Sequence, residues 1–247
     1  MTAPPDLTLI VLVFASLAAA TAAFGIGPFA LGRGVPLNHI GLANAVAAGM
    51  MLGAAYGLLV VGLGLGKAAV AAGAALGILF VVGTHTASGT EDLDLNRLDD
   101  RTDAYGYQVL LVNSLHSASE GIAIGAAMAV SQPFGVFMAL AIAVHNIPEA
   151  TVLCAILTGR GVGVVNAAGL AVAANVSQIL LAVVAYAIIA AAPGSLPWAL
   201  GFAVGALIQL TMSELLPESY RQTGHRSIAL ATIVAMGIVV FMRGFAS

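Results

Sequence analysis

Charge is what this sequence has least of. Only 8% of its 247 residues are Asp, Glu, Lys or Arg, against about 25% in a soluble domain. So few charges cannot clothe a surface in water, which excludes a soluble fold. Cysteine is nearly absent as well. Cys154 stands alone, so no intrachain disulfide and no thiolate cluster can form, and it reads as a small apolar core residue. The apolar stretches show no alternation of period two, which excludes the strands of a membrane barrel. No nucleotide-binding motif and no His-Glu-x-x-His occur.

What is present is apolar: 60% of the chain is hydrophobic, in runs near the ~20 residues that span a bilayer as helix. The 29 glycines suit close helix contact in lipid. Charges, prolines and glycines divide the runs into eight expected helices, at about 7–31, 40–63, 68–82, 105–130, 134–157, 162–191, 196–216 and 227–242. The expected fold is an all-α polytopic membrane protein, with 1–247 as a single transmembrane domain. Residues 1–24 read as part of the first helix and not as a signal peptide, because no basic residue precedes the run and the run is too long. A polar loop is expected over 85–103, carrying Glu91, Asp92, Asp94, Asp99, Asp100 and Asp103. Basic residues orient the chain. With both termini on the outer side, Arg33, Arg97, Arg101, Arg160, Arg221 and Arg226 face the cytoplasm, and only Lys67 and Arg243 face out. The acidic loop is then cytoplasmic.

Ionisable groups inside a membrane are costly and mark function. Four acids lie outside the N-terminal tail and the acidic loop: Glu120, Glu149, Glu214 and Glu218. His116 with Glu120, and His145 with Glu149, are spaced i, i+4, which stacks each pair on one helix face. The fourth and fifth helices should form an antiparallel hairpin turning near Gln132 and Pro133. At ~1.5 Å per residue, His116 and Glu149 then lie level, roughly 25 Å from the turn, and Glu120 and His145 lie level at roughly 19 Å. Two imidazoles and two carboxylates meet near mid-membrane, a donor set for borderline divalent cations such as Zn²⁺, Fe²⁺, Mn²⁺ or Cd²⁺. Pro148, inside the second pair, should kink its helix and free the carbonyl of Val144 for a passing cation. Glu214 and Glu218, one turn apart, suggest an exit relay. His39 and His225 read as solvated loop residues.

These residues resemble the ZIP (zinc- and iron-regulated transporter-like) metal transporters. Leu115-His116-Ser117-Ala118-Ser119-Glu120-Gly121 resembles the family's fourth-helix motif, and His145-Asn146-Ile147-Pro148-Glu149 its fifth-helix counterpart. Ala47-Ala48-Gly49-Met50-Met51-Leu52 is similar to a second-helix segment whose methionine can contact metal. Phe202-Ala203-Val204-Gly205-Ala206 and Ser213-Glu214-Leu215-Leu216-Pro217-Glu218 are similar to the seventh-helix signature. The resemblance implies two inverted triplets of helices around a central pair, a 3+2+3 arrangement. It adds Met51 to the metal set, with Asn146 and Ser117 at its edge; Gln178 and His85 join Glu214 and Glu218 as pathway candidates. Departures accompany it. Ser117 replaces the family's usual Asn, Ser119 its proline and Ala150 a glycine. The sixth helix, where relatives carry a glutamate completing a second metal site, has only Asn175, Ser177 and Gln178.

The expected function is transport of a divalent cation, zinc first, toward the cytoplasm across the cell membrane. The metal is the substrate, and no organic cofactor is expected. The expected partners are that cation and the bilayer, with no nucleic acid and a homodimer as a candidate assembly. The alternatives are an intramembrane metal-dependent hydrolase, which would need a further general base, and a non-transporting sensor or structural protein.

Overall fold

The computed structural model describes residues 7–30, 36–88 and 103–244. Among these residues the regular structure is helical throughout, in eight passes. α1 is Leu7–Ala30, α2 Leu37–Leu65, α3 Lys67–Ser88, α4 Asp103–Val130 and α5 Gln132–Gly159. α6 is Val164–Ala191, α7 Pro193–Gln222 and α8 His225–Arg243. Seven are long and apolar enough to cross a membrane by length and composition alone, and the exception is α4. At 28 residues α4 is long enough. Its hydropathy is diluted by Asn113, Ser114, His116, Ser117, Ser119 and Glu120, the segment that carries the expected chemistry.

Some bounds move. α3 runs past the expected end at Val82 to Ser88, so His85 is helical and not in a loop. α7 continues beyond Leu216 to Gln222. Glu91, Asp92, Asp94, Asp99 and Asp100, with Arg33, Arg97 and Arg101, lie outside the described residues. Three helices are irregular. α1 tightens to a 3₁₀ turn at Thr21–Ile26, α6 breaks at Asn175 instead of running unbroken, and α7 widens to a π turn at Thr211–Leu215.

In lipid there is no hydrophobic drive between helices, so close contact depends on small residues that let backbones approach. Gly73 and Gly77 of α3 lie against the carbonyls of Trp198 and Phe202 in α7, where an added Cβ would strike them. Gly201 and Gly205 of α7 stand the same way against Val70 and Ala74. Gly49 and Gly53 seat α2 on α8, and Gly121 and Gly125 seat α4 on α6. Each glycine pair is spaced i, i+4 and so shares one helix face.

The contacts also reveal the internal symmetry. α3 packs along α7 and α8 along α2, while α4 packs along the second half of α6 and α5 along α1. Exchanging α1 with α6, α2 with α7, α3 with α8 and α4 with α5 converts the first contact of each pair into the second. Two inverted triplets about a central α4–α5 pair produce that pattern. The exchange also matches the interrupted α1 with the interrupted α6.

Candidate metal centre

The α4–α5 hairpin turns on one residue. Ser131 leaves the helical region at φ −163° and ψ 150°, and its hydroxyl accepts from the Phe134 amide, capping α5. Pro133 occupies the first turn of α5, where its missing N–H costs nothing. Gly135 lets the two helices touch, since a Cβ there would enter Met128. A hairpin this tight fixes the register, and the two His/Glu pairs meet as their spacing predicts.

His116, Glu120, His145 and Glu149 each offer a ligand atom within 4.8 Å of the others. His145 Nε2 is 3.0 Å from Glu120 Oε1 and 3.4 Å from Glu149 Oε2. His116 Nε2 is 3.7 Å from Glu120 Oε1. Donors around a tetrahedral zinc, at bonds near 2.05 Å, sit about 3.4 Å apart, so these separations bracket that edge. The His116 and His145 rings lie nearly parallel, 5.9 Å between centroids and 14° between planes. None of these close approaches has hydrogen-bond geometry. Both Nε2 atoms, both oxygens of Glu120 and Oε2 of Glu149 are buried without a hydrogen-bond partner. Buried polar atoms normally find partners, and five left over in one cluster of mixed N and O donors fit a shared cation.

The surroundings orient the ligands. His145 Nδ1 lies 3.3 Å from the carbonyl of Ala47 in α2, which directs Nε2 into the cluster. Asn113 Nδ2 donates to Glu149 Oε1 at 2.6 Å. Three of the four side chains are almost fully enclosed, and Glu149 keeps 14% of its surface exposed. A narrow cavity touches Glu120 and His145 and is lined by Met50, Met51, Ala54, Ala141, Ile142 and Leu207. Ala141 and Ile142 lie one turn nearer the hairpin tip than His145, so the cavity leaves the cluster toward that tip.

The remaining candidates separate. Met51 lines the cavity, and its sulfur accepts from Thr211 Oγ1 at 3.7 Å, at the start of the π turn. Ser117 is buried and donates to Asn175 Oδ1 at 2.8 Å. Asn146 donates to the Ala18 carbonyl at 2.9 Å and to Gln178 Oε1 at 3.1 Å, which ties Gln178 into the core. Glu214 and Glu218, despite their spacing, make contacts to different groups. Glu214 Oε1 meets His85 Nε2 at 2.9 Å, between α7 and α3. Glu218 is bound by Gln222 at 2.5 Å and Arg221 at 3.3 Å. α5 stays helical through Pro148, and Val144 itself is exposed. The carbonyl engaged nearby is that of Ala143, accepting from Thr21 of α1 at 2.6 Å. His39 and His225 are exposed.

Two contributors escape a reading of the sequence. The Ala47 carbonyl carries no side-chain signal at all. Asn113 carries one: residues 113, 116, 117 and 120 repeat at i, i+3, i+4 and i+7, a polar stripe on one face of α4.

Fold and cluster together define a multi-pass helical membrane protein with a buried His₂Glu₂ donor set between two antiparallel helices. Residues 68–243 match the ZIP zinc transporter family, and the chain belongs to that family, whose members are transporters and not enzymes. It is 33% identical over 202 residues to a candidate zinc transporter of Arabidopsis thaliana, covering 79% of this chain and 32% of that protein. It is 27% identical over 173 residues to zinc transporter ZIP13 of Pongo abelii, covering 68% of this chain and 52% of that one. Against zinc transporter GufA of Myxococcus xanthus it is 30% identical over 113 residues, covering 45% of this chain and 44% of that one. The chain thus spans between 32% and 52% of the length of these relatives.

Proposed function

We propose that this chain is one transmembrane unit that carries a divalent cation toward the cytoplasm, binding it as cargo at His116, Glu120, His145 and Glu149. Zinc is the first candidate, with Fe²⁺, Mn²⁺ and Cd²⁺ admitted by the same donors. Asn146, Ser117 and Met51 border the site. The observation that carries this reading is that these four residues bring one ligand atom each to within 4.8 Å of one another, and that five of their buried donor atoms have no hydrogen-bond partner.

The basic residues favour an outward hairpin tip and outward termini in the cell membrane. The cavity beside Glu120 and His145 is then an approach from outside. The His85–Glu214 pair lies toward the other side, along a route to the cytoplasm. A divalent cation moving inward gains about 4.6 kcal/mol per 100 mV of negative-inside potential, which drives uptake without nucleotide. Protons compete for the same imidazoles and carboxylates, so binding releases protons and uptake falls as the medium is acidified.

Purified protein in sealed proteoliposomes, assayed for Zn²⁺, Fe²⁺, Mn²⁺ and Cd²⁺ entry under an imposed inside-negative potential, tests the reading. Saturable flux of at least one ion is the expected result. Flux no greater than in empty vesicles for all four refutes transport.

A further inference from the structure

Glu149 is held as no other member of the cluster is. Its Oε1 accepts a 2.6 Å hydrogen bond from Asn113 Nδ2, while its Oε2 faces His145 at 3.4 Å with no hydrogen-bond partner. Glu120 has both oxygens unpartnered. The amide of Asn113 must present its NH₂ to Glu149, because an amide oxygen there would repel the carboxylate. Asn113 is itself buried, and its own Oδ1 has no partner. Such an orphaned acceptor is unfavourable, and an aliphatic side chain would avoid it. Packing alone therefore does not account for asparagine at this position, whereas a need for a donor at Glu149 does.

We propose that Asn113 is a positioning residue that makes Glu149 a one-oxygen ligand and so sets which divalent cations the cluster prefers. The inference rests on the cation-binding reading of the cluster. A carboxylate with both oxygens free can clasp a cation through both, as large oxygen-seeking ions favour. With Oε1 engaged by a charge-assisted hydrogen bond, Glu149 binds through Oε2 alone. Two imidazole nitrogens, Glu149 Oε2 and the Glu120 carboxylate then make a compact N/O set, one oxygen smaller than with both oxygens of Glu149 free, suited to small borderline ions such as Zn²⁺ and Co²⁺. Cd²⁺ is larger and gains more from an extra oxygen. The Asn113 bond withholds that oxygen and disfavours Cd²⁺ relative to Zn²⁺.

Cobalt(II) reports the difference, because its visible d–d bands are intense in a tetrahedral field and weaken as coordination rises to five or six. Purified full-length protein is loaded with Co²⁺, and Zn²⁺ and Cd²⁺ are titrated in as competitors. Wild-type protein is expected to show the more intense bands, those of the lower coordination number. In Asn113→Leu the bands weaken, and the Cd²⁺-to-Zn²⁺ affinity ratio rises, by about tenfold if the change falls mainly on one metal at the lower end of what losing an outer-shell partner does to metal affinity. Asn113→Ala carries the same expectation should the leucine variant fail to fold. Wild-type bands together with a wild-type ratio in these variants overturn the proposal. Uniform weakening of all three metals with unchanged bands marks a merely structural residue and overturns it too. Failure of the wild-type protein itself to take up Co²⁺, with Glu120→Gln and Glu149→Gln behaving identically, overturns the cation-site reading and this inference with it.

Discussion

Glu120→Gln removes one unit of charge and almost no volume from a side chain with no exposure. In the wild type, Glu120 Oε1 stands 3.0 Å from His145 Nε2 and 3.7 Å from His116 Nε2. A bound divalent cation is offset by two carboxylates, and the variant leaves it with one. The new amide can also donate to His145 Nε2, occupying a second ligand atom. Leaving a buried charge uncompensated costs about 3–5 kcal/mol. At about 1.4 kcal/mol per factor of ten, zinc should bind roughly two to three and a half orders of magnitude more weakly. Equilibrium competition with a fluorescent zinc chelator on purified protein measures that loss. Uptake at a fixed low zinc concentration should fall in parallel, while yield and monodispersity in detergent stay those of the wild type. A dissociation constant within about threefold of wild type would refute the reasoning, since Glu149 is already counted and the cluster offers no third carboxylate to replace Glu120.

In a Cys154→Ala background, Arg226→Cys should react with an impermeant maleimide only after lysis, and Gly194→Cys should react in sealed cells. The reverse pattern defeats the orientation. Gly205→Val, whose side chain would enter the Ala74 carbonyl across the α3–α7 contact, should destabilise the fold by about 1–3 kcal/mol or more, read as a lowered Tm in detergent. Metal analysis of the purified protein should find one divalent cation per chain. Gln178→Glu, beside Asn146, should raise that number toward two.

The hairpin and its cluster were legible because they rest on two strong regularities. A one-residue turn makes depth a matter of counting, and ionisable residues in an apolar run stand out individually. Residue spacing on α4 and α5 therefore brought Glu120 level with His145, at 3.0 Å. What the sequence hid is backbone geometry and neutral polarity. The break at Asn175 lies in a helix that is long and apolar enough to cross a membrane, with no proline or glycine at the break to mark it. It is made by an asparagine that turns out of the helix at φ −87° and ψ 3°, while its amide donates to the Ala171 carbonyl and its oxygen accepts from Ser117. At the π turn Thr211 meets Met51 of α2, and the helical His85 meets Glu214 of α7, contacts between helices that residue spacing does not announce. Glu214 and Glu218 looked like one relay from their spacing, but the π turn separates their surroundings and each found a different partner.

Charge accounts for the one-cation expectation, and the geometry around the cluster gives it a physical basis. The polar residues next in sequence to His116 and His145, and those at the break in α6, are neutral and engaged with one another: Ser117 with Asn175, Asn146 with Gln178 and the Ala18 carbonyl, Ser177 with the Ser114 carbonyl. These bonds link α4 and α5 to the interrupted segments of α1 and α6. A helix that breaks exposes carbonyls and amides that must be satisfied inside the membrane, and uncharged amides and hydroxyls satisfy them without a counter-ion. A second divalent cation among these groups would repel the first and would have only the same two carboxylates to offset both. It would also have to disrupt the bonds that close the breaks in α1 and α6. The groups that hold the irregular helices together are thus the groups a second metal would need, which is why one cation per chain is the expected result of metal analysis.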